Sequence, residues 1–314
     1  MEIVHDFTWD KSMKVHDFVE KLGKVGFQGV ELDKASNVVV KMKKEGAKIF
    51  LTFTSNMVTS GLRGFFAQIT KLKIPFAIVT TVGGIEEDIM KAHGEKFIIG
   101  KFNSDDNLLH EKGINRIGNL HINNESYMKF EDLIRPIISG LYKQKPRWAV
   151  SELLREIGSK LNDENSFLYQ AAKNNITIYC PAITDGALGF HLYLFQQNHK
   201  DFIVDVIQDF GNIMLSISQD DKKGIISLGG SISKHHAILA SLLNGGLDYA
   251  VYMTTASSSS GSMSGATTEE AKSWGKIKDD SDAATVIGDV SITFPLMMIK
   301  ALETLSKEGL LENG

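Results

Sequence analysis

The sequence predicts an α/β fold built on a parallel sheet with helices on both faces. Short apolar runs alternate with segments of helical periodicity along most of the chain, a pattern typical of strands joined by helical crossovers. The chain has 314 residues, 43% of them hydrophobic, so it is long enough to bury one large core or two smaller ones. Because the alternation is continuous, we expect a single domain over residues 1–314, with residues 1–47 as a helical cap ahead of the first strand.

Six apolar runs are the candidate strands, and segments of helical period lie between them. The runs are residues 48–54, 75–80, 176–180, 224–228, 248–253 and 285–288. Within the cap, residues 15–22 and 35–45 have helical periodicity. Apolar residues also recur at helical spacing in residues 133–141 and 153–161, which indicates two helices that pack apolar stripes onto the core.

The bulk charge and the residue types argue against several classes of protein. A net charge of -4 and a pI near 6.2 give no whole-protein attraction to nucleic acid or to an anionic membrane. The apolar runs are too short to span a bilayer, and we find no signal-peptide pattern. The only cysteine, Cys180, has no intrachain partner, and no set of side chains has metal-ligand spacing. We therefore expect a cytoplasmic enzyme or binding protein without a metal.

Small hydroxyl residues and glycines follow successive candidate strands. The segments are Thr54-Ser55-Asn56, Thr80-Thr81-Val82-Gly83-Gly84, Thr184-Asp185-Gly186, Gly229-Gly230-Ser231 and Thr254-Thr255-Ala256. In an open parallel sheet, ligands bind beyond the carboxyl ends of the strands, and such residues let backbone amides approach a pyrophosphate. Ordinary turn chemistry explains any one segment, but their repetition predicts a Rossmann-like dinucleotide site that lacks the G-x-G-x-x-G fingerprint.

Charged residues accompany two of these segments. Glu86, Glu87 and Asp88 follow the second segment, where a helix dipole favours carboxylates and where a ribose would also find hydrogen-bond acceptors. Both interpretations stay open at this point. His235 and His236 follow the fourth segment without a further group at metal spacing, which favours substrate binding over metal binding.

The motif Ser273-Trp274-Gly275-Lys276 follows a Ser/Gly-rich run over residues 257–265. A lysine becomes nucleophilic when its neutral form is favoured, and an aromatic face with a nearby carboxylate such as Glu270 tunes a cationic or imine nitrogen. Lys276 is therefore the first candidate for covalent chemistry, against the plain alternative of a surface lysine after a tight turn. The Ser/Gly run is either a domain linker or a loop at one edge of the sheet, and the strand-helix pattern on both sides favours a loop.

Six motifs occur in order and with compatible spacing between about residue 51 and residue 302. They are Thr54-Ser55-Asn56, Gly83-Gly84-Ile85-Glu86-Glu87-Asp88, Gly113-Ile114-Asn115-Arg116-Ile117-Gly118-Asn119, Thr184-Asp185-Gly186, Lys234-His235-His236 and Ser273-Trp274-Gly275-Lys276. Together they resemble the deoxyhypusine synthase family over most of the chain. The resemblance implies a Rossmann-like NAD-binding fold that assembles as a homotetramer, with active sites between paired subunits.

The resemblance also implies roles for individual residues. Lys276 would take up an aminobutyl group as an enzyme imine, and His235 would contact the polyamine near the reacting carbon. Glu86, Glu270 and Trp274 would line the amine pocket. The cofactor NAD would be bound by Ser55, Thr59, Thr81, Glu87, Asp185, Gly230, Thr255, Ala256, Ser264 and Asp289.

The reaction that the resemblance implies is a transfer. NAD takes a hydride from the carbon beside the secondary nitrogen of a polyamine such as spermidine, and Lys276 captures the resulting imine. The butylamine unit then passes to a lysine of the hypusine-carrying translation initiation factor 5A, and the hydride returns. Two alternatives are a homospermidine-type synthase, whose acceptor is a free diamine, and a non-catalytic NAD-binding regulatory subunit. The presence of Lys276 and His235 argues against the regulatory subunit.

Three positions depart from the family pattern. Phe190 stands where the family has an aspartate, and Ser260 and Met263 stand where its Ser/Gly loop has two more. Two of the missing carboxylates would pair with polyamine amines and the third with the cofactor ribose. Because a buried ammonium without a counter-charge is costly, we expect spermidine to be a weak donor and another amine, such as agmatine, to be preferred.

Overall fold

A computed structural model describes residues 2–311, in which helices and strands alternate over most of the chain. The helices are α1 (Val15–Leu22), α2 (Phe27–Lys44), α3 (Asn56–Thr59), α4 (Arg63–Lys71), α5 (Val82–Ala92), α6 (Asp106–Glu111), α7 (Asn124–Gln144), α8 (Val150–Ser159), α9 (Phe167–Asn174), α10 (Ala187–Asn198), α11 (Val206–Leu215), α12 (Ser231–Leu243), α13 (Thr268–Lys272) and α14 (Val290–Lys307). The strands are β1 (Lys48–Phe53), β2 (Ala77–Thr80), β3 (Ile98–Ile99), β4 (Ile114–Ile117), β5 (Leu120–Asn123), β6 (Arg147–Ala149), β7 (Thr177–Tyr179), β8 (Ile203–Asp205), β9 (Lys223–Leu228), β10 (Leu247–Thr254) and β11 (Ile277–Ile287). A 3-10 helix covers Ser258–Ser260.

The chain forms two compact units, each assembled from more than one stretch of sequence. The first unit contains the residues up to Phe53, Leu72–Val79 and the residues from Asn212 onward. The second unit contains Thr54–Lys71 and Thr80–Gly211. Compactness does not by itself make a unit an independently folding domain, so the single domain over residues 1–314 stays a prediction.

The first unit is built on five neighbouring strands in the order β11, β10, β9, β1, β2. The pairs β11–β10, β10–β9 and β9–β1 are parallel, and Ile225 of β9 lies between Phe50 of β1 and Ala250 of β10. All six residues of β9 are buried, which is typical of a central strand whose two faces are both covered.

Helices cover both faces of this sheet. Side chains of a strand point to alternate faces, so Tyr249 and Tyr252 of β10 lie on opposite sides. The hydroxyl of Tyr249 donates to Glu45, directly after α2, whereas the ring of Tyr252 lies 3.7 Å from Nζ of Lys234 in α12. Helix α14 lies beside α2, since Ser36 Oγ of α2 donates to a backbone carbonyl of α14. The predicted α/β fold, with a parallel sheet between helical layers, is confirmed.

The second unit contains helices α3 to α10, two small sheets and a buried ion network. Strands β3, β5 and β4 form an antiparallel sheet in that order, and β6 pairs with β8 in parallel. Arg63 of α4 donates to Asp88 of α5 at 2.5 Å and to Asp163 at 2.7 Å. Asp88 also accepts a hydrogen bond from Ser166 Oγ at 2.7 Å. Three separate chain segments are therefore joined through one fully buried carboxylate.

The predicted elements are confirmed where the sequence is apolar, and the errors fall at polar segments and glycines. The six candidate strands correspond to β1, β2, β7, β9, β10 and β11. Strand β11 begins at Ile277 rather than residue 285, because it is an edge strand whose residues 279–282 are polar. Helix α2 begins eight residues earlier than predicted, after Gly26 with a φ of 93°. The Gly83-Gly84 pair lies inside the first turn of α5 and not in a loop ahead of it.

Within residues 2–311, no helix combines the length and the apolar character needed to cross a bilayer.

Candidate active site

The predicted site residues fall into two groups, one in each compact unit. The first unit holds Gly230, His235, Thr255, Ala256, Ser264, Glu270, Trp274, Lys276 and Asp289. The second unit holds Ser55, Thr59, Thr81, Glu86, Glu87 and Asp185. The residues predicted to carry the covalent chemistry, Lys276 and His235, therefore belong to the first group.

A cavity of about 130 Å³ in the first unit has Glu270, Trp274 and Lys276 in its wall. Lys276 is 8% exposed, and its Nζ lies 4.6 Å from the centroid of the Trp274 ring. At this distance an ammonium is attracted by the negative face of the ring. The wall also includes Lys234, Tyr252 and Met263. Lys276 is therefore a buried cavity lysine and not the surface lysine of the plain alternative.

The chain geometry after α13 fixes the position of Lys276. Thr267 caps the helix by accepting the backbone N–H of Glu270 at 3.2 Å. Gly275 then adopts a φ of 67°, a left-handed conformation that suits glycine, and the backbone N–H of Lys276 donates back to Ala271 at 3.1 Å. Strand β11 begins at the next residue. Lys276 is thus held between a capped helix end and the first residue of a strand.

Three consecutive residues of α12 have pKa values shifted by their surroundings. Burial lowers the pKa of Lys234 to about 8, although the nearby Glu270 opposes the shift. Burial and the charge of Lys276 lower the pKa of His235, and burial lowers that of His236 to about 4. Both imidazoles are therefore neutral at pH 7. His235 is not among the residues of the cavity wall, and its neutral imidazole has a free nitrogen lone pair that can accept a proton.

The Ser/Gly run of residues 257–265 forms a loop, as predicted, with a 3-10 helix at Ser258–Ser260. The loop of residues 257–266 packs tightly against the start of α12. Gly229 has a φ of 79°, and a Cβ on Gly230 would lie only 2.3 Å from the Cα of Ser264. The Ser264 hydroxyl accepts the backbone N–H of Ser231 at 3.2 Å. Packing within the chain therefore requires a glycine at position 230, whether or not a phosphate approaches it.

The remaining candidates of the first unit lie at the carboxyl ends of two paired strands. Thr254, the last residue of β10, pairs with Ile287, the last residue of β11. Thr255 and Ala256 follow the first of these strands, and Asp289 follows the second. Asp289 is exposed and caps α14 by accepting the backbone N–H of the second helix residue at 2.8 Å. The sheet thus brings these three predicted residues to the same edge.

Two buried carboxylates distinguish the group in the second unit. Glu86 and Glu87 of α5 are each 4% exposed, and burial raises the pKa of both to about 7. Glu86 accepts the backbone N–H of Leu188 at 2.7 Å and so holds the start of α10. Glu87 accepts a hydrogen bond from the Thr59 hydroxyl at 2.6 Å. Glu87 is therefore a buried acceptor joined to a second predicted cofactor residue.

Two other residues of this group, Thr81 and Asp185, lie just before helices α5 and α10. The Thr81 hydroxyl caps no helix amide of its own but accepts the backbone N–H of Ser55 at 3.0 Å. Asp185 is exposed just before α10. Asp88, the third carboxylate that the sequence offered as a ribose acceptor, is committed to Arg63 and Ser166 instead. No group of three or more His, Cys, Asp or Glu side chains in residues 2–311 is arranged to hold a metal ion.

Two polar residues of the cavity wall, Lys234 and Tyr252, are missing from the predicted site. Tyr252 is 1% exposed, and its buried hydroxyl has no hydrogen-bond partner among the described residues. A sequence signal existed for Lys234, because it shares one face of α12 with three buried residues, Ala237, Ile238 and Ser241. A lysine within a buried helical stripe indicates a specific interaction, since lysine is rarely buried without one.

Comparison with known proteins identifies the family of this chain. The family model for deoxyhypusine synthase matches residues 17–301. The deoxyhypusine synthase of Kluyveromyces lactis is 34% identical over an alignment of 333 residues, gaps included, that covers 92% of this chain and 88% of that protein. The deoxyhypusine synthase of Musa acuminata is 41% identical over 257 residues, covering 80% and 68%. A crystal structure from Entamoeba histolytica that carries the same family name matches at 30% identity and a TM-score of 0.70, covering 96% and 97% of the two chains. The chain therefore belongs to the deoxyhypusine synthase family.

Proposed function

We propose that this chain is an NAD-dependent transferase that takes an aminobutyl group from a polyamine onto Lys276 and passes it to a lysine of translation initiation factor 5A. Membership of the deoxyhypusine synthase family supports transfer to this protein acceptor. The observation that carries the covalent step is the burial of Lys276 in a cavity wall, with its Nζ 4.6 Å from the Trp274 ring centroid. An acceptor that takes part in translation also leads us to propose a cytoplasmic location.

Four side chains divide the work around the amine in this proposal. Lys276 attacks as a free amine, so its proton must leave first. His235 accepts that proton, because its lowered pKa keeps the imidazole neutral at pH 7. Glu270 is the one acidic side chain among the described residues of the cavity wall, and it anchors an ammonium of the donor. The ring of Trp274 covers the cationic nitrogen.

NAD is the cofactor that the family resemblance implies, and when bound it supplies a hydride acceptor. In the second unit, the hydroxyls of Ser55, Thr59 and Thr81 and the carboxylate of Glu87 are the kinds of group that hold ribose and phosphate oxygens. The burial of Glu87 supports this assignment, because a buried acceptor with a single hydroxyl partner has capacity for a further hydrogen bond.

In the first unit, Thr255, Ala256 and Asp289 stay predicted cofactor residues. They lie at the carboxyl ends of parallel strands, where nucleotides bind in open α/β sheets. Gly230 and Ser264, which pack against each other, and Asp185 stay predicted cofactor residues.

The proposal is tested by incubating the protein with NAD, a panel of amines that includes spermidine and agmatine, and purified translation factor 5A. Intact-mass spectrometry should show the transferred alkylamine unit on the factor and, after borohydride reduction, on the enzyme. A product found only on a free diamine would assign the homospermidine-type activity instead. If no amine modifies either protein, the transferase proposal fails.

A further inference from the structure

We propose that Lys234 is a positioning residue whose ammonium clamps residues 263–266 and so forms one wall of the amine cavity. Lys234 is 1% exposed, and its Nζ donates to the backbone carbonyls of Met263 at 3.1 Å and Ala266 at 2.9 Å. A lysine ammonium has three N–H donors, so two of them bridge carbonyls three residues apart in the loop. The same nitrogen lies 3.7 Å from the centroid of the Tyr252 ring. The charge is thus stabilised from the loop and from the sheet.

The clamped segment is the part of the loop that shapes the cavity. Met263 and Ala266 both line it, together with Lys234 itself. Between them, Ser264 lies against Gly230, and a Cβ on Gly265 would lie 2.1 Å from the carbonyl oxygen of Ser257. Residues 263–266 are therefore packed against α12 and against Ser257, the first residue of the loop. The Lys234 ammonium holds the carbonyls at both ends of this segment.

The burial of this lysine is a poor arrangement for stability alone. Burial lowers its pKa to about 8, which means that the fold holds the ammonium at a cost in free energy. A well-packed apolar side chain of similar volume would fill the space without that cost. The hydrogen bonds from the ammonium to the two carbonyls favour one conformation of the loop, which an apolar side chain could not do.

The chain offers a matched control in Lys223 of β9. Lys223 is 0% exposed, and its Nζ donates to the backbone carbonyls of Ser218 at 2.9 Å and Asp221 at 2.7 Å. It belongs to the same compact unit and makes the same type of interaction, but it does not line the amine cavity. Lys223→Met and Lys234→Met therefore each remove a buried ammonium that donates to backbone carbonyls, but only Lys234→Met removes one from the cavity wall.

Hydrogen-exchange mass spectrometry on the full chain tests the clamp without any substrate. Exchange of the amides of residues 257–266 should become at least tenfold faster in Lys234→Met and stay unchanged in Lys223→Met. Lys234→Gln, which keeps an N–H donor, should give an intermediate rate and serves as the second variant if the methionine variant does not fold. Equal exchange of this loop in the wild type and both Lys234 variants, or equal acceleration in Lys223→Met, would overturn the clamp.

The kinetic consequence rests on the proposed function and is measured separately. Lys234→Met should raise the KM for the amine donor at least tenfold relative to Lys223→Met, because the cavity wall no longer holds its shape. If the wild type is inactive with every donor while the exchange difference persists, the transferase assignment fails and the clamp stands. If the exchange difference is present but the donor KM of the two methionine variants is equal, the loop does not position the donor.

Discussion

At the scale of single residues, both units contain charged side chains that are held away from water. Lys276, Lys234 and Glu87 are 8%, 1% and 4% exposed. Burying an ionised group is costly unless partners compensate, and proteins use this cost to tune reactivity where chemistry takes place. The partners here are an aromatic ring for Lys276, two carbonyls for Lys234 and one hydroxyl for Glu87. Lys276 and Glu87 have the fewest compensating partners, and we expect these two groups to bind ligands.

Lys276→Ala should abolish the borohydride-trapped adduct that forms with NAD and the donor amine, because the nucleophilic nitrogen is lost. The affinity for NAD, measured by calorimetry, should stay nearly unchanged. Lys272→Ala, which removes a lysine four residues away in α13, is the control and should retain the adduct. An adduct of equal yield on the Lys276→Ala variant would show that another residue carries the covalent step.

Met263→Asp should shift the donor preference toward spermidine. Met263 lines a cavity that contains two lysines and, among the described residues of its wall, Glu270 as the sole acidic group. An added carboxylate favours a more highly charged amine, so we expect kcat/KM for spermidine, relative to a less charged donor, to rise about tenfold. Met263→Asn, which is similar in shape but uncharged, is the control. A native protein that already uses spermidine best, with no gain in the Asp variant, would contradict this account of the pocket.

Glu87→Gln should change how stability depends on pH. The pKa of Glu87 is about 7 in the folded protein and about 4.5 for an ordinary glutamate, so the native state binds the proton more tightly. Stability therefore falls as pH rises from about 4.5 to about 7. The Gln variant lacks this loss. Between pH 5 and pH 8, its free energy of unfolding should therefore rise by about 1 to 3 kcal/mol relative to that of the wild type. Urea unfolding at both pH values measures the gain, and the exposed Glu125→Gln variant should show none.

At the scale of elements, the start of α12 and the loop of residues 257–266 behave as one packed piece. The sequence presents this loop as a flexible-looking Ser/Gly run, yet Ser264 fills the space beside Gly230 and Lys234 holds two of its carbonyls. Small residues in this loop therefore serve close packing. A Ser/Gly-rich composition on its own suggests a flexible linker, but here it allows the loop to pack closely.

Gly230→Ala tests this packing directly. The new Cβ would lie 2.3 Å from a backbone atom of Ser264, so the loop must shift, at a cost of about 1 to 3 kcal/mol. We expect a lower thermal midpoint and faster exchange of the loop amides before any ligand is added. Gly140→Ala, whose Cβ would meet nothing within 4 Å, is the control and should be neutral or stabilising. An unchanged midpoint for Gly230→Ala would mean that the loop yields freely.

At the scale of the whole molecule, the chain exposes large apolar side chains that a monomer in water would leave uncovered. Phe27 is 98% exposed, Leu215 is 88% exposed and Ile99 is 80% exposed. Scattered apolar residues are normal on a surface, whereas contiguous apolar patches mark the places where chains associate. The homotetramer that the family resemblance implies stays a prediction.

We accordingly predict that the protein sediments as a homotetramer at micromolar concentration. Sedimentation velocity over a hundredfold range of concentration should show one main species with the mass of four chains. Leu215→Glu is the variant to compare, because a charge at an interface weakens association whereas the same change on a free surface is tolerated. A monomer across the whole range would contradict the predicted assembly.

The sequence by itself determined the α/β class, the six main strands and the residues of the Trp-Gly-Lys motif, because apolar periodicity and local motifs are properties of neighbouring residues. It did not determine the edge strand β11 in full or the small sheets of the second unit, since polar and very short strands form only when a partner strand pairs with them. Tertiary structure alone decided that Asp88 is committed to Arg63, that Gly230 makes room for Ser264 and that Lys234 reaches the loop. Each of these contacts joins residues at least 25 positions apart, and the burial that sets their charges exists only after the chain has folded.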